Sequence, residues 1–247
     1  MDDWQSVLRA GARELGLTVS AGQEVLFARY LDLLLERNRQ VNLTAITDPV
    51  EVAAKHFVDA LTVEAVWQPR PGDRAIDIGT GAGIPGVPLA IRHPQAAFTL
   101  NDSTRKKVVF LEEVASALPL PNIYPVWSRA EALGRKPDCR GRFTTVLVRA
   151  VAHLGLLTEY ALPLLAPGGR LIAMKGPAGE AEIAESRPAL QALHGEVTEL
   201  RRLTVSGAGE RLLIVIRAVS PAPARYPRDA GAMKKRPLFL DRPGGNP

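Results

Sequence analysis

At 247 residues, 46% hydrophobic and 23% charged, the chain has room for one large domain with an extension, and its composition excludes a disordered or fibrous protein. A single cysteine excludes an internal disulfide and suits a reducing compartment, so the cytoplasm is expected. The net charge is +5, and from Ala218 onward Arg225, Arg228, Lys234, Lys235, Arg236 and Arg242 stand against only Asp229 and Asp241; such a basic, proline-rich tail either lies along phosphates or is a solvated end that aids solubility.

Residues 1–20 carry Asp2, Asp3, Arg9, Arg13 and Glu14, which fits neither a signal peptide nor a membrane span. Apolar spacing predicts amphipathic helices over 3–16 and 20–36, the second opened by a Ser20/Gln23 capping box. A polar loop follows over 38–48, and Asp48-Pro49 starts a third helix running through His56 to about Val66. From Gly72 short strands alternate with helices, the pattern of βαβ units and a mainly parallel sheet. Strands are expected at 74–78, 97–101, 123–127, 143–149 and 170–175, and helices at 86–92, 104–117, 154–165 and 178–193. Pro167-Gly168-Gly169 reads as the turn from helix to strand. Two last strands, 196–205 and 211–217, are joined around Ser206-Gly207-Ala208-Gly209, too short a link for a parallel crossover, so they form an antiparallel hairpin. Three parts result: a helical extension (1–71) packed on the core, an α/β domain (72–217) and a basic Pro/Gly-rich tail (218–247).

The stretch Asp77-Ile78-Gly79-Thr80-Gly81-Ala82-Gly83-Ile84-Pro85-Gly86 is a strand end, a glycine turn and a helix start. A dinucleotide fingerprint needs Gly-x-Gly-x-x-Gly with its pyrophosphate on free N–H groups of the helix. Here the third glycine falls at Gly83 instead of at Ile84, and Pro85 and Pro88 remove donors from the first turn. No Lys-Ser or Lys-Thr follows, which excludes a P-loop. S-adenosylmethionine remains, a nucleotide cofactor without phosphate, whose positive sulfonium suits an acidic strand end such as Asp77. Asp77, Gly79, Gly81, Gly83 and Ile84 are therefore cofactor-site candidates. Asp102, at the end of the second strand, is placed to accept from ribose hydroxyls or to cap the next helix. Ser128-Arg129-Ala130-Glu131 follows the third strand, where it can read an adenine edge or serve a short helix's dipole.

With these elements in place, the chain resembles a doubly wound, Rossmann-like class I methyltransferase, and more narrowly the bacterial small-subunit (16S) ribosomal RNA guanine-N7 methyltransferases, also called glucose-inhibited division protein B. The likeness runs through Asn42-Leu43-Thr44-Ala45-Ile46, His56-Phe57-Val58-Asp59-Ala60-Leu61, the glycine loop, Asp102-Ser103 with Lys106-Lys107, Arg149-Ala150-Val151, and Pro167-Gly168-Gly169 with Lys175-Gly176. It implies a mainly parallel sheet with a C-terminal antiparallel strand, and cofactor contacts at Gly79, Ile84, Asp102, Ser103, Thr104, Ala130, Glu131 and Arg149. It also implies an RNA-facing role for Asn42, His56, Lys175 and Arg211, the last three being, with Arg149, the catalytic candidates. Its partner would be small-subunit ribosomal RNA within a 30S particle, acted on by a monomer. Two departures stand out. Thr144-Thr145 follows Phe143 where the family usually has an aspartate, and the tail runs longer than in many relatives.

Methyl transfer from a sulfonium is an in-line displacement, accelerated largely by alignment. Guanine N7 has a free lone pair and needs no general base, in agreement with a chain that shows no evident dyad. Pyrimidine C5 chemistry needs a cysteine nucleophile, and Cys139 lies in a Pro137-Asp138-Cys139-Arg140 loop with no neighbouring base. Exocyclic-amine enzymes carry an Asn/Asp-Pro-Pro-aromatic run where this chain has Arg149-Ala150-Val151-Ala152. Arg149 suits a binding role toward guanine O6 or the cofactor, or else an ion pair with Asp77 or Asp102. His56 is either a packing residue or part of the site. Arg105, Lys106 and Lys107 form a basic edge for RNA phosphate or a solvated face, and Lys234, Lys235 and Arg236 are the tail's RNA candidates. His93, His153 and His194 are scattered, so no metal site is expected. A non-catalytic RNA-binding factor, or a methyltransferase for another base or a small molecule, is the alternative.

Overall fold

The computed structural model describes residues 3–149 and 152–239. Ala150 and Val151 of the Arg-Ala-Val element, and Asp241 and Arg242 of the tail, lie outside the described residues. Helix α1 spans Trp4–Glu14, capped by Asp3, and α2 spans Ala21–Asn38, where both arms of the Ser20/Gln23 box form. The third helix, α3 (residues 49–65), is not uniform. It opens as an α-turn at Pro49–Val52, widens to a π-helix over Ala53–Val58, returns to α at Asp59–Leu61 and tightens to 3-10 at Thr62–Ala65.

Seven strands follow in one sheet: β1 Arg74–Ile78, β2 Ala97–Asp102, β3 Ile123–Trp127, β4 Phe143–Arg149, β5 Leu165–Lys175, β6 Gly195–Val205 and β7 Gly209–Ala218. Their order is β3-β2-β1-β4-β5-β7-β6, with β1 to β5 parallel and β7 antiparallel to both its neighbours. The helices between them are α4 Gly86–Arg92, α5 Arg105–Ala117, α6 Ala130–Leu133, α7 Leu154–Ala161, α8 Ala181–Glu185 and α9 Arg187–Leu193; α10, Ala230–Lys235, closes the series. Strand alternation sorts the core onto two faces. Ala75, Leu147, Ile172 and Leu213 face one cluster with α1, α2 and α3, whereas Ile76, Val146, Leu171 and Ile214 face the other with α7 and α9. Phe27 and Tyr30 of α2 pack on Phe57 at ring separations of 5.0 and 5.6 Å, which binds the N-terminal helices into the first cluster.

Three expectations need correction. Pro167-Gly168-Gly169 is not a separate turn but the bulged start of β5, where pairing slips between Phe143 and Thr145 of β4. The helix expected to reach residue 165 gives way at Leu162–Leu164 to a 3-10 turn built on Pro163. The helix expected over 178–193 breaks at Ser186, ahead of Pro188, into α8 and α9. Among the described residues no helix is long and apolar enough to cross a membrane.

Candidate active site

The glycine loop joins β1 to α4, and Gly79, Gly81 and Gly83 take φ of 67°, 62° and 97°. All three lie in the left-handed region, where a Cβ is strained. Asp77, at 1% exposure, uses Oδ2 to accept from Thr80 Oγ1 at 2.6 Å and from the Gly86 N–H at 2.8 Å. Its other oxygen is buried without a partner, and burial pushes the carboxyl up to about 7. Asp77 is thus the stitch that closes the loop, with Thr80 and Gly86 both held by one of its oxygens. A glycine suits position 86 in turn, because a Cβ there would run into the Leu100 side chain and crowd Asp77 Oδ2 at 3.0 Å. From the other side the Tyr30 hydroxyl donates to the Ala82 carbonyl at 2.6 Å, and Ile84 is buried beneath the turn.

Asp102 ends β2 with Oδ2 accepting from Gly81 N–H at 3.0 Å and Oδ1 accepting from Thr104 N–H at 2.8 Å; Lys107 Nζ stands 3.9 Å away. The carboxylate thus ties the loop to the start of α5, between Asn101 and Ser103 of the cleft lining, and keeps lone pairs beyond these two bonds. The cleft runs past Ile78, Gly79, Asn101, Ser103, Ser128, Arg129, Ala130, Glu131 and Tyr160. Thr104 adjoins it as the cap residue of α5. Sequence reasoning missed Asn101 and Tyr160. Asn101 donates to the carbonyls of Val126 and Ser128 at 3.1 and 2.8 Å, which fixes the end of β3, and a buried amide beside Asp102 was a readable signal. Tyr160 lies on α7 among apolar residues and gave none; burial and the nearby Glu131 charge raise its hydroxyl above the ordinary range.

Next along the same sheet edge, Arg149 ends β4. It donates through Nη1 to the Lys55 carbonyl at 3.0 Å and to Asp59 Oδ2 at 2.8 Å, and its Nη2 lies 3.2 Å from His56 Nδ1. Arg211 Nε of β7 donates to the other Asp59 oxygen at 2.5 Å. The acid that holds Arg149 is thus Asp59, not Asp77 or Asp102. Lys55 and His56 lie in the π-turn, a helix irregularity often found at functional sites. His56 Nε2 meets Thr44 Oγ1 at 2.8 Å, and Asn38 holds the Leu43 and Thr44 N–H groups at 2.8 and 3.0 Å. Burial, with Arg149 beside it, depresses His56 to about 4, so the ring is neutral at pH 7.

The remaining candidates are more dispersed. Lys175 follows Met174, the β5 partner of Arg149, and pairs with Leu212 beside Arg211, but by strand alternation its side chain takes the other face of the sheet, where it donates to Glu182 at 2.8 Å and to the Ala152 carbonyl at 2.5 Å. Asn42 is exposed on the loop that Asn38 shapes. Arg105 pairs with Glu112 at 3.1 Å and lies over the Trp127 ring, while Lys106 is exposed. Lys234, Lys235 and Arg236 are exposed on and just after α10, which Asp229 caps. Cys139 is a half-buried free thiol. Among the described residues no group of three His, Cys, Asp or Glu side chains is placed to hold a metal ion.

Residues 23–214 match the family described as rRNA small subunit methyltransferase G. The protein named ribosomal RNA small subunit methyltransferase G of Pelotomaculum thermopropionicum is 42% identical over 232 residues, 94% of this chain and 97% of the relative. Its namesake in Deinococcus deserti is 44% identical over 94% of this chain and 96% of its own length. Among solved structures, a SAM dependent methyltransferase from Aquifex aeolicus superposes with a TM-score of 0.52 at 16% identity, covering 71% of this chain and 97% of its own. A 16S rRNA (adenine(1408)-N(1))-methyltransferase from Catenulisporales acidiphilia gives 0.51 at 18% identity, over 67% and 92%. These two share the fold. With its match to that family over most of its length, the chain belongs to the rRNA small subunit methyltransferase G family.

Proposed function

We propose that the protein transfers a methyl group from S-adenosylmethionine to N7 of a guanine in small-subunit ribosomal RNA. Family membership supports the cofactor and the class of RNA. The residues fit the cofactor: space above Gly81 is open, Asp102 offers lone pairs toward a ribose, and Ala130 and Glu131 wall the cleft at the adenine end. The bound cofactor supplies an electrophilic methyl on a sulfonium. Proline at 85 and 88 leaves the first turn of α4 poor in donors for a pyrophosphate.

The observation that carries the choice of N7 is His56. Of the ionisable groups around Arg149 it is the natural base, yet it is buried, depressed to about 4, and hydrogen-bonded at both ring nitrogens. An imidazole so held is a poor proton acceptor, and an acceptor with a free lone pair requires none. Arg149 and Arg211, fixed by one carboxylate, present guanidinium donors suited to guanine O6 and to phosphate. We read Asn42, Arg105, Lys106, Lys107 and Lys234 to Arg236 as RNA contacts, Lys175 as an RNA-facing residue of the catalytic set, and the enzyme as a cytoplasmic monomer acting on a 30S particle. The helical extension, residues 1–71, belongs to the same working unit as the catalytic domain. Incubation with labelled cofactor and either naked small-subunit RNA or assembled subunits, with mass-spectrometric mapping of the product, tests the reading. N7-methylguanine is expected, with more product from the assembled subunit; methylation at another atom, or of neither RNA, overturns it.

A further inference from the structure

The segment after β7 does not leave the body. Arg140 Nη1 donates to the carbonyls of Gly134 and Tyr226 at 2.9 and 2.6 Å, and Nη2 donates to those of Ala222 and Pro223 at 2.8 and 3.0 Å. One guanidinium thus bridges the end of α6 to the tail. A second latch is the Glu159–Arg228 fork. Glu159 is 1% exposed and accepts Arg228 Nε at 2.8 Å, Nη2 at 2.7 Å and the Arg228 N–H at 2.9 Å. Phe239 then stacks on His153 at 4.0 Å, at the cap of α7.

Two glycines are shaped to this course. A Cβ on Gly134 would lie 2.8 Å from Pro227, and one on Gly155 would lie 2.6 Å from Phe239. The elements so gripped are α6, which carries Ala130 and Glu131, and α7, which carries Tyr160 next to Glu159. These three residues form one wall of the cleft.

We infer that the C-terminal segment from Ala222 to Phe239 is a clasp that sets the cofactor wall, with Arg140 and the Glu159–Arg228 pair as positioning residues that act through Ala130, Glu131 and Tyr160. This rests on reading the cleft as the cofactor site. Neither α6, four residues long, nor the short loop after it has the length to hold its own place. The clasp supplies the missing constraint, and linkage makes the effect reciprocal: whatever the clasp adds to cofactor affinity, the cofactor adds to clasp closure.

The test uses the full chain, S-adenosylhomocysteine as probe, and the variants Glu159→Gln and Gly155→Ala. The second presses on Phe239, which supplies the three atoms nearest a Cβ there, and puts the better helix former into α7, so its effect cannot come from a weakened helix. Calorimetry is expected to show affinity about tenfold weaker in each, within the usual range of coupling between sites. Hydrogen exchange of amides 222–239 is expected to slow by a similar factor when the probe binds the parent. Variants that melt earlier but bind as tightly as the parent, with tail exchange indifferent to the probe, would overturn the clasp alone. A parent that does not bind the probe would overturn the cofactor reading and the clasp with it.

Discussion

Asp59 and Arg149 lie 90 residues apart in the chain and meet at 2.8 Å, the carboxylate on α3 and the guanidinium at the end of β4. The opposite oxygen of Asp59 holds Arg211, so one buried acid spaces two cations along the edge where the RNA is proposed to lie. Removing one partner from a buried pair leaves the other uncompensated. Asp59→Ala should cost about 3 kcal/mol of stability by urea unfolding, and methyl transfer should fall further than the loss of folded protein accounts for. Full activity in the folded fraction would return Asp59 to a packing role.

Asp102→Asn keeps the size of the side chain and one acceptor oxygen for Gly81 or Thr104, but removes the charge. Hydrogen bonds to charged acceptors are strong enough that cofactor affinity should drop about ten- to a hundredfold. Calorimetry decides, and unchanged affinity sinks the ribose assignment.

The Asp77 carboxyl is raised in the fold from an ordinary 3.8 to about 7. The folded state therefore holds more protons than the unfolded state between those values, and this contribution to stability is lost as pH rises through about 7. His56 acts with the opposite sign in its own window. Depressed from 6.5 to about 4, it makes the fold lose stability as pH falls below 6.5. Asp77→Asn should accordingly gain on the parent between pH 5 and pH 8, whereas His56→Gln should gain on it between pH 7 and pH 5. Unfolding curves of each variant at both ends of its window, parallel to those of the parent, would remove the assignment.

Lys234, Lys235 and Arg236 are exposed on and just after α10, which Asp229 caps and whose end Arg228 holds through the Arg236 carbonyl. Changing all three to Gln should weaken RNA binding and reduce the slope of log affinity against log salt by roughly 0.7 to 0.9 for each phosphate no longer neutralised. A slope equal to that of the parent would leave these residues to solubility.

The sheet was largely legible in the sequence because its strands are short, apolar and separated by strong turn signals; β1, β3 and β4 have the bounds expected of them. The glycine loop and Asp102 were legible for the same reason, as local chemistry at fixed offsets. Asp59 was not, since it reads as one more polar position on a helix until β4 and β7 bring arginines to it. The π-turn leaves no trace in apolar periodicity, which is fitted to 3.6 residues per turn. Proline, glycine and cations gave the tail the composition of a solvated end. Its return to the body depends on partners such as Arg140 and Glu159, which precede it by some 80 and 70 residues.

Helix α2 carries Tyr30, whose hydroxyl holds the Ala82 carbonyl of the glycine loop, and Asn38, whose amide shapes the loop bearing Asn42 and Thr44. Eight residues of helix separate the two, about 12 Å at the rise of an α-helix. A single stiff rod thus meters the gap between the loop proposed to cradle the methyl donor and the surface proposed to meet the acceptor. Lengthening that rod by one turn would leave both loops individually intact and put them out of step with each other.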